Sequence, residues 1–298
     1  MLREVGGPFE LADVPDPDAS DGRRIVRVHA AGINFADVLI RRGHYPEMPE
    51  LPVVLGLEVA GELEDGARVV ALTRGAGGYA ELAAVDQVLP LPEGASFAEG
   101  AAFPIAFLTA YIPLTRQVHL HPGSAVLVHA AAGGVGSAAI QVARALGAEV
   151  IGAVGSAEKI ELCLELGASA AYVYDDIPDD LRVDVVIDPV GGPLLERALG
   201  RLRPLGVLVA IGVAGGPWEA INPALLVGRN VGVQGFYLGR LLRHAPEVVA
   251  QATGEVLELW RSGAVKPVVG AEIPLAEAGR AHELVESRRS VGKVVLVP

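Results

Sequence analysis

Thiol groups are nearly absent from this chain, since its 298 residues include a single cysteine, Cys163. One thiol cannot form an internal disulfide bond, and it cannot build a zinc site that needs two or more thiolate ligands. Cys163 falls within the helical pattern of residues 158–166, where a packing thiol is more typical than a nucleophile. The composition therefore excludes disulfide-stabilised folds and cysteine-rich zinc sites.

Positive charge is also scarce. Lysine and arginine together number 24 against 36 acidic residues, and only three of the 24 are lysines, which leaves a net charge of −12 at pH 7. Binding to a phosphate backbone requires a basic surface, so nucleic acid is not expected as a partner.

Long apolar runs are missing as well. The sequence has no stretch of 18 or more uninterrupted apolar residues, so no membrane partner is expected. The first residues, MLREVGGPFE, lack the cationic lead and the apolar centre of a signal peptide. Together these absences predict a cytoplasmic protein. Apolar residues make up 51% of the chain and charged residues 20%, which is typical of a folded globular protein.

The pattern of the chain changes near Pro104. Before it, short alternating segments broken by glycine and proline predict a β-rich unit. After it, helical patterns alternate with nearly continuous apolar segments at 125–129, 150–154, 171–174, 183–188 and 207–211. This alternation predicts a parallel sheet covered by helices, and hence an α/β fold. The pattern alone leaves open whether the helices and the strand after residue 246 belong to the first or the second part.

A glycine-rich segment, VHAAAGGVGS at 128–137, lies between the first of these strands and the first helix. Ala131, Gly133 and Gly136 match the spacing of the G-x-G-x-x-G motif, with alanine in the first position. Between a strand and a helix, this motif cradles a pyrophosphate with backbone N–H groups of the helix start. Those groups belong to Gly134, Val135 and Gly136. We therefore predict a dinucleotide-binding turn, with a tight turn in an ordinary α/β sheet as the alternative.

The end of the next strand indicates which dinucleotide binds. An unmodified ribose is held by an acidic residue about 20 residues after the first glycine of the motif, and residues 153–156 contain no carboxylate. Gly155 and Ser156 stand there instead, and Lys159 follows within one helical turn as a cation for a 2′-phosphate. The pattern favours NADPH over NADH. The alternative for Lys159 is a solvated helix residue.

Several other segments point to a family. They are GINFAD at 32–37, RGHY at 42–45, GLEVAG at 56–61, GYAEL at 78–82, PIAFLTAY at 104–111 and GKVVLVP at 292–298. Together with the glycine-rich turn, and in this order along nearly the whole chain, they resemble the medium-chain dehydrogenase/reductases, specifically the zinc-free quinone oxidoreductase branch. Zinc-dependent members of this superfamily carry a cysteine ligand near the position of Asn34 and a histidine ligand at that of Leu57. Neither ligand is present, so no metal site is expected.

The resemblance implies a fold and a domain organisation. A GroES-like β-barrel domain would comprise residues 1–107 and 238–298, and a Rossmann domain with a doubly wound parallel sheet would comprise residues 108–237. The active site would lie between the two domains. The family pattern also implies a homodimer, formed through the sheet edge near residues 231–236.

The resemblance also assigns residues to bound NADPH. Those expected near the nicotinamide and along the cofactor chain are Asn34, Tyr45, Thr109, Gly212 and Val213. Those expected around the adenosine 2′-phosphate are Ser156, Lys159, Tyr174 and Arg288. Considered without the family, Tyr174 has packing on the sheet as its alternative role, and Arg288 has that of a cation at a helix C-terminus.

These expectations predict an enzyme that transfers hydride from NADPH to a quinone or an α,β-unsaturated carbonyl compound without zinc. Such transfer needs little beyond positioning of the acceptor in a water-poor site. Asn34 and Tyr45 are the predicted catalytic residues, since their side chains would orient the carbonyl oxygen. His44 is interpreted as a solvated turn residue, and Glu58 as a paired carboxylate. Two alternatives remain open: an enoyl-thioester reductase, and an NADPH-binding protein without turnover.

Overall fold

The structure, a computed structural model, describes residues 1–19, 22–218 and 220–298. Its chain forms two compact units. The first comprises Met1–Ile105 and Pro267–Pro298, and the second comprises Ala106–Lys266. In these described ranges, no helix has both the length and the apolar character that a membrane crossing requires.

The chain returns to the first unit after Lys266, whereas the resemblance predicts that it returns at residue 238. Residues 238–266, which the resemblance places in the first domain, belong to the second unit. Polar contacts hold this segment there: Arg116 pairs with Glu255 at 2.5 Å, and the Gln141 side chain donates to the Lys266 carbonyl oxygen at 2.9 Å. The return to the first unit therefore begins at Pro267.

The first unit is built on a mostly antiparallel sheet. Its strands are β1 (Arg24–Gly32), β2 (Glu58–Glu62), β3 (Arg68–Leu72), β4 (Leu82–Val85), β5 (Val88–Pro90), β12 (Val269–Pro274) and β13 (Lys293–Val297). They run in the order β12-β13-β1-β2-β3-β5, and β4 pairs with β1. Since β13 pairs with β1, the last strand of the chain lies beside the first.

The core of the first unit joins the two ends of the chain. In β1, Val26 and Val28 alternate with more exposed residues and are buried, as expected for a strand with one covered face. They belong to the same apolar cluster as Val294 and Leu296 of β13. Each such side chain contributes about 1.5–3 kcal/mol when fully buried. The helices of this unit are α1 (Phe35–Arg41), α2 (Phe97–Ala101) and α10 (Ala278–Glu286).

The second unit contains a parallel sheet. Its strands are β6 (Ala125–His129), β7 (Glu149–Val154), β8 (Ala170–Val173), β9 (Val183–Asp188), β10 (Leu202–Ala210) and β11 (Gly232–Gly235). They run in the order β11-β10-β9-β6-β7-β8, with parallel pairing throughout. The accompanying helices are α3 (Pro104–Ile112), α4 (Gly134–Ala145), α5 (Ile160–Glu165), α6 (Leu194–Arg201), α7 (Pro223–Arg229), α8 (Leu238–His244) and α9 (Pro246–Arg261).

The sequence accounts for these elements directly. Every residue of β6 is buried, as expected for an apolar strand that is covered on both faces. In α4, every residue from 136 to 143 is buried and Arg144 is exposed, so most of this helix is covered all round and solvent reaches its C-terminal end. Gly147 has a φ of 83°, a left-handed conformation that ends the helix and that glycine adopts without strain.

The strand order defines a binding edge. From β6 the sheet extends through β7 and β8 on one side and through β9, β10 and β11 on the other. Open parallel sheets bind ligands at the carboxyl ends of their strands, at the point where the order switches in this way. The predicted fold class is confirmed: an α/β chain with a doubly wound parallel sheet and a second, β-rich unit.

Candidate active site

Backbone contacts close the turn between β6 and α4. The Gly133 N–H donates to the Ala130 carbonyl oxygen at 2.8 Å, and Ala130 adopts a left-handed backbone with a φ of 46°. A Cβ atom on Gly136 would lie 2.1 Å from the same oxygen, so only glycine fits there. The sequence predicts the tight turn at Ala131, whereas the left-handed residue is its neighbour Ala130.

The first turn of α4 presents N–H groups that have no intrahelical acceptor. Every α-helix begins with such donors, and here they include those of Gly134, Val135 and Gly136. Gly133 precedes them with an extended backbone and, as glycine, supplies no side-chain cap. A Cβ on Gly133 would meet one atom within 4 Å, the Ala130 oxygen at 3.2 Å, so the space around it is otherwise open. With the positive end of the helix dipole, this geometry fits a pyrophosphate.

Tyr174 lies against this turn. Its hydroxyl oxygen accepts a hydrogen bond from the Ala130 N–H at 2.8 Å, and its ring meets the His129 ring edge to face with the centroids 5.6 Å apart. Tyr174 directly follows β8. The fold therefore brings together the predicted pyrophosphate turn and a residue predicted at the 2′-phosphate.

The segment after β7 carries the other residues expected at the 2′-phosphate. A Cβ on Gly155 would meet no atom within 4 Å. The Ser156 hydroxyl donates to a carboxylate oxygen of Glu158 at 3.1 Å. Partial burial lowers the pKa of Lys159, and the charge of Glu158 acts in the opposite direction. Residues 153–156 lack a carboxylate, but Glu158 reaches back to Ser156, which a rule based on spacing alone does not reveal.

Three further predicted residues lie in the second unit. Thr109 belongs to α3 and is buried. Gly212 and Val213 follow β10, at the edge of the sheet that carries the glycine-rich turn. A Cβ on Gly212 would lie 2.7 Å from the Pro189 carbonyl oxygen, so the chain after β10 passes close to the chain after β9.

A buried histidine and aspartate connect the two strands at the switch point. His129 ends β6 and Asp188 ends β9, and Nδ1 of the histidine lies 3.1 Å from Oδ1 of the aspartate. The carboxylate also accepts the Val190 and Gly191 N–H groups at 3.0 and 3.2 Å. Burial acts to raise the pKa of Asp188, but His129 and these N–H donors outweigh it and lower that pKa. The pair thereby orients the loop after β9.

In the first unit, Asn34 belongs to a buried polar cluster with Glu58 and Lys293. Its Nδ2 donates to Glu58 Oε1 at 2.8 Å, and its Oδ1 accepts from the Lys293 ammonium at 2.7 Å. Lys293 also pairs with Glu58 Oε1 at 2.6 Å. Exposure is 8% for Asn34, 0% for Glu58 and 5% for Lys293. The predicted catalytic asparagine is thus anchored by a buried ion pair.

Lys293 lies in the motif GKVVLVP, but the resemblance assigns it no role. It begins the apolar strand KVVLV, in a chain with only three lysines. Lysine is almost never fully buried unless its charge is paired. A lysine at the start of a strand predicted to be buried is therefore the signal in the sequence that indicates a paired site.

Tyr45 and Arg288 also lie in the first unit. Tyr45 is partly buried and packs against the apolar core of that unit. Arg288 is exposed after α10, with a left-handed φ of 59° and its N–H donating to the Val285 carbonyl oxygen, which is the backbone of a helix C-terminus. Asn34, Tyr45 and Arg288 therefore belong to one unit, and the other predicted cofactor residues belong to the other.

The fold and the turn define a class of protein. A parallel sheet with a glycine-rich turn at its switch point, combined with a β-rich unit built from both ends of the chain, is the architecture of a two-domain dinucleotide-binding dehydrogenase. Residues 20–93 match the family model of the alcohol dehydrogenase GroES-like domain, and residues 134–256 match that of the zinc-binding dehydrogenase.

Known relatives narrow this class. The quinone oxidoreductase of Mus musculus is 35% identical over 321 residues, covering 99% of this chain and 96% of the relative. The quinone oxidoreductase from Thermus thermophilus, solved alone and with NADPH, is 43% identical with a TM-score of 0.92, covering 100% of this chain and 98% of that one. The Escherichia coli enzyme complexed with NADPH is 33% identical with a TM-score of 0.88 and the same coverage. The chain belongs to the quinone oxidoreductase branch of the medium-chain dehydrogenase/reductases, as predicted.

Asp37 makes the stability of the first unit depend on pH. Its Oδ2 accepts the Asn34 N–H at 2.8 Å, and the side chain is fully buried. Burial raises the pKa of Asp37 from 3.8 to about 7, although the Asn34 N–H and the Lys293 charge act to lower it. The native state therefore binds more protons than the unfolded state between these values, and the free energy of unfolding falls as pH rises through this interval.

We expect Asp37→Asn to remove this pH dependence, since the amide keeps an acceptor for the Asn34 N–H but does not ionise. The wild-type contribution amounts to at most about 1.4 kcal/mol per pH unit for one proton. Denaturant unfolding from pH 4 to 8 measures it, and Asp13→Asn at an exposed position of the same unit is the control. Identical pH profiles for wild type and Asp37→Asn would contradict the assignment.

Proposed function

We propose that the protein is an NADPH-dependent reductase that transfers hydride to a quinone or an α,β-unsaturated carbonyl compound without zinc. The observation that carries this proposal is the turn at the switch point of the sheet, where Gly136 packs against Ala130 and the first N–H groups of α4 have no side-chain cap. The relatives add support, because the Thermus and E. coli quinone oxidoreductases were each solved with NADPH.

NADPH is the cofactor in this proposal, and the chain has candidate residues to bind its pyrophosphate and its 2′-phosphate. The N–H groups of residues 134–136 would bind the pyrophosphate. The residues that would bind the 2′-phosphate are Ser156, Lys159, Tyr174 and Arg288. Those that would contact the nicotinamide half are Asn34, Tyr45, Thr109, Gly212 and Val213. Bound NADPH supplies the hydride.

The proposed reaction balances without a further oxidant. A quinone that gains one hydride and one proton from water becomes a hydroquinone, and NADP⁺ is the second product. Negative charge develops on the carbonyl oxygen during the transfer, so a hydrogen-bond donor fixed at that oxygen stabilises the transition state. Asn34 and Tyr45 are the proposed donors in this reaction.

The residues present do not fit a catalytic zinc ion. Asn34 and Leu57 stand where zinc-dependent members carry cysteine and histidine. The remaining carboxylate, Glu58, accepts from the Lys293 ammonium and from the Ile105 N–H at 2.8 Å. Among the residues the structure describes, no three histidine, cysteine, aspartate or glutamate side chains converge. A protein cation already neutralises this carboxylate, which supports hydride transfer without a metal.

The acceptor class is tested by following NADPH oxidation by stopped flow against benzoquinones, naphthoquinones, enones and a crotonyl thioester. We expect turnover with at least one quinone or enone, because water supplies the only proton that the reaction needs. Turnover with the thioester alone would identify an enoyl reductase. Tight NADPH binding without oxidation by any acceptor would refute the proposed activity and favour a binding protein.

We expect Lys159→Glu to weaken NADPH binding about 100-fold, because a charge-assisted contact is replaced by repulsion of the 2′-phosphate. NADH lacks that phosphate and should be affected less than about threefold. Glu158→Gln should act oppositely and tighten NADPH, since it removes a carboxylate beside Ser156. Fluorescence titration with both nucleotides measures these effects, and Lys266→Glu at another lysine of the same unit controls for net charge. Equal losses for both nucleotides would remove Lys159 from the phosphate site.

The proposal includes a homodimer formed through β11. This strand lies at the end of the sheet, and an exposed strand edge is a ready partner for another chain. Leu205 lies beside its start, since the Leu205 N–H donates to the Asn230 carbonyl oxygen at 2.6 Å, and it is 86% exposed. A second copy related by a two-fold axis would pair the two edges and cover this leucine.

Leu205→Glu should convert the dimer to a monomer, because two carboxylates would then be buried near the symmetry axis. Light scattering measures the mass in solution. Leu11→Glu is the matched control, since Leu11 is 75% exposed in the other unit. A monomeric wild-type protein, or equal behaviour of both variants, would contradict this interface.

A further inference from the structure

The Lys293 ammonium directs every one of its hydrogens into the protein. It donates to the Ile33 carbonyl oxygen at 2.8 Å, to Asn34 Oδ1 at 2.7 Å and to Glu58 Oε1 at 2.6 Å. An ammonium group has three N–H donors and no acceptor. No hydrogen of Lys293 is therefore left for a cofactor or a substrate, and any effect of this residue on a ligand must pass through a neighbour.

Glu58 is engaged in the same way. Its Oε1 accepts from Asn34 Nδ2 and from Lys293, and its Oε2 accepts from the Ile105 N–H at 2.8 Å. The side chain has no exposed surface. A general base must reach the proton that it removes, so this buried and paired carboxylate does not act as one.

These two partners fix the orientation of the Asn34 carboxamide. Lysine only donates and a carboxylate only accepts, so the amide oxygen must face Lys293 and the amide nitrogen must face Glu58. The nitrogen donates one of its two hydrogens to Glu58. Within the described part of the chain, no acceptor is found for its second hydrogen. Asn34 is therefore the member of the cluster that keeps a donor for a ligand.

We propose that Lys293 and Glu58 are positioning residues that act through Asn34, holding its second N–H in one direction as the donor to the acceptor's carbonyl oxygen. This inference rests on the proposed function, in which Asn34 contacts the acceptor. The Lys293–Glu58 pair has no net charge, so its contribution to the reaction is to orient the Asn34 carboxamide. A donor held in place needs no reorganisation when negative charge develops on the oxygen.

The orientation is tested without turnover by nitrogen-15 labelling of asparagine. The chain has three asparagines, so the side-chain amide spectrum contains three pairs of signals, and loss of one pair in Asn34→Asp assigns it. We expect Lys293→Met and Glu58→Gln to shift the Asn34 pair and to leave those of Asn222 and Asn230 in place. Lys266→Met is the matched control and should shift none of them.

Removing one partner of a buried ion pair leaves an uncompensated charge and threatens folding. The double variant Glu58→Gln/Lys293→Met removes both charges and keeps a similar side-chain volume. It replaces Lys293→Met in the measurement if that single variant does not fold. In either folded variant, an unchanged Asn34 amide pair would overturn the inference.

The functional step is tested by a double-mutant cycle on the rate of hydride transfer at saturating NADPH. We expect Asn34→Ala to lower this rate about 100-fold, as loss of one fixed donor does. Lys293→Met, or the double variant in its place, should lower it about 10- to 100-fold through misplacement of that donor. In the Asn34→Ala background the same change should have less than about a twofold effect, because the residue through which it acts is gone.

In Lys293→Met, or in the double variant in its place, the dissociation constant of NADPH should change less than about threefold, which separates positioning of the acceptor from general damage. Equal losses with and without Asn34 would assign the ion pair a purely structural role and overturn the inference. A wild-type protein that reduces no acceptor would contradict the proposed function, whereas unmoved Asn34 signals would contradict this inference alone.

Discussion

The ion pair between Lys293 and Glu58 is the contact on which the first unit depends. It joins residues 235 positions apart and holds the start of the last strand against β2 and Asn34. Burying two charges costs several kcal/mol per ion unless each has hydrogen-bond partners in good geometry. All three ammonium hydrogens and both carboxylate oxygens have such partners here. The next residue, Val294, accepts the Ile33 N–H at 2.9 Å, so the position of the ammonium is coupled to the register of β13.

The second unit offers ligands backbone donors rather than a side-chain cluster. At a net charge of −12, the chain repels a polyanion at long range. Salt screens that repulsion beyond about 8–10 Å, so binding depends on donors within hydrogen-bond distance. The N–H groups at the start of α4 meet this need without side-chain entropy or desolvation of a formal charge. The His129–Asp188 pair keeps the adjacent strand ends in place, and the tight packing of Gly136 keeps the helix start at the turn.

Local patterns in the sequence predicted individual strands and the glycine-rich turn well, but they did not predict contacts between distant segments. Continuous apolar runs predict the bounds of β6 and β9 to the residue, because a short apolar run between turn residues is typical of a strand that is covered on both faces. The glycine-rich turn is also predicted by a short local motif, and only its left-handed residue, Ala130 instead of Ala131, differs from the prediction. The apolar pattern left open the unit to which α9 belongs, since an apolar helix face indicates that something covers it but not what does, and the resemblance placed α9 in the first unit instead of the second. The partner of Lys293 lies hundreds of positions away and leaves no periodic pattern.

The same ion pair also bears on which acceptors suit the proposed reaction. A zinc ion stabilises an alkoxide as a Lewis acid, whereas the Lys293–Glu58 pair has no net charge and no hydrogen to give. What remains are two neutral donors, the Asn34 amide and the Tyr45 hydroxyl, whose stabilising effect on an anion is modest compared with that of a metal ion. A phenol has a pKa of about 10, compared with about 16 for water, which an alkoxide resembles in basicity. Hydride transfer to a quinone produces the weaker base, so a site of this kind suits a quinone better than a simple ketone.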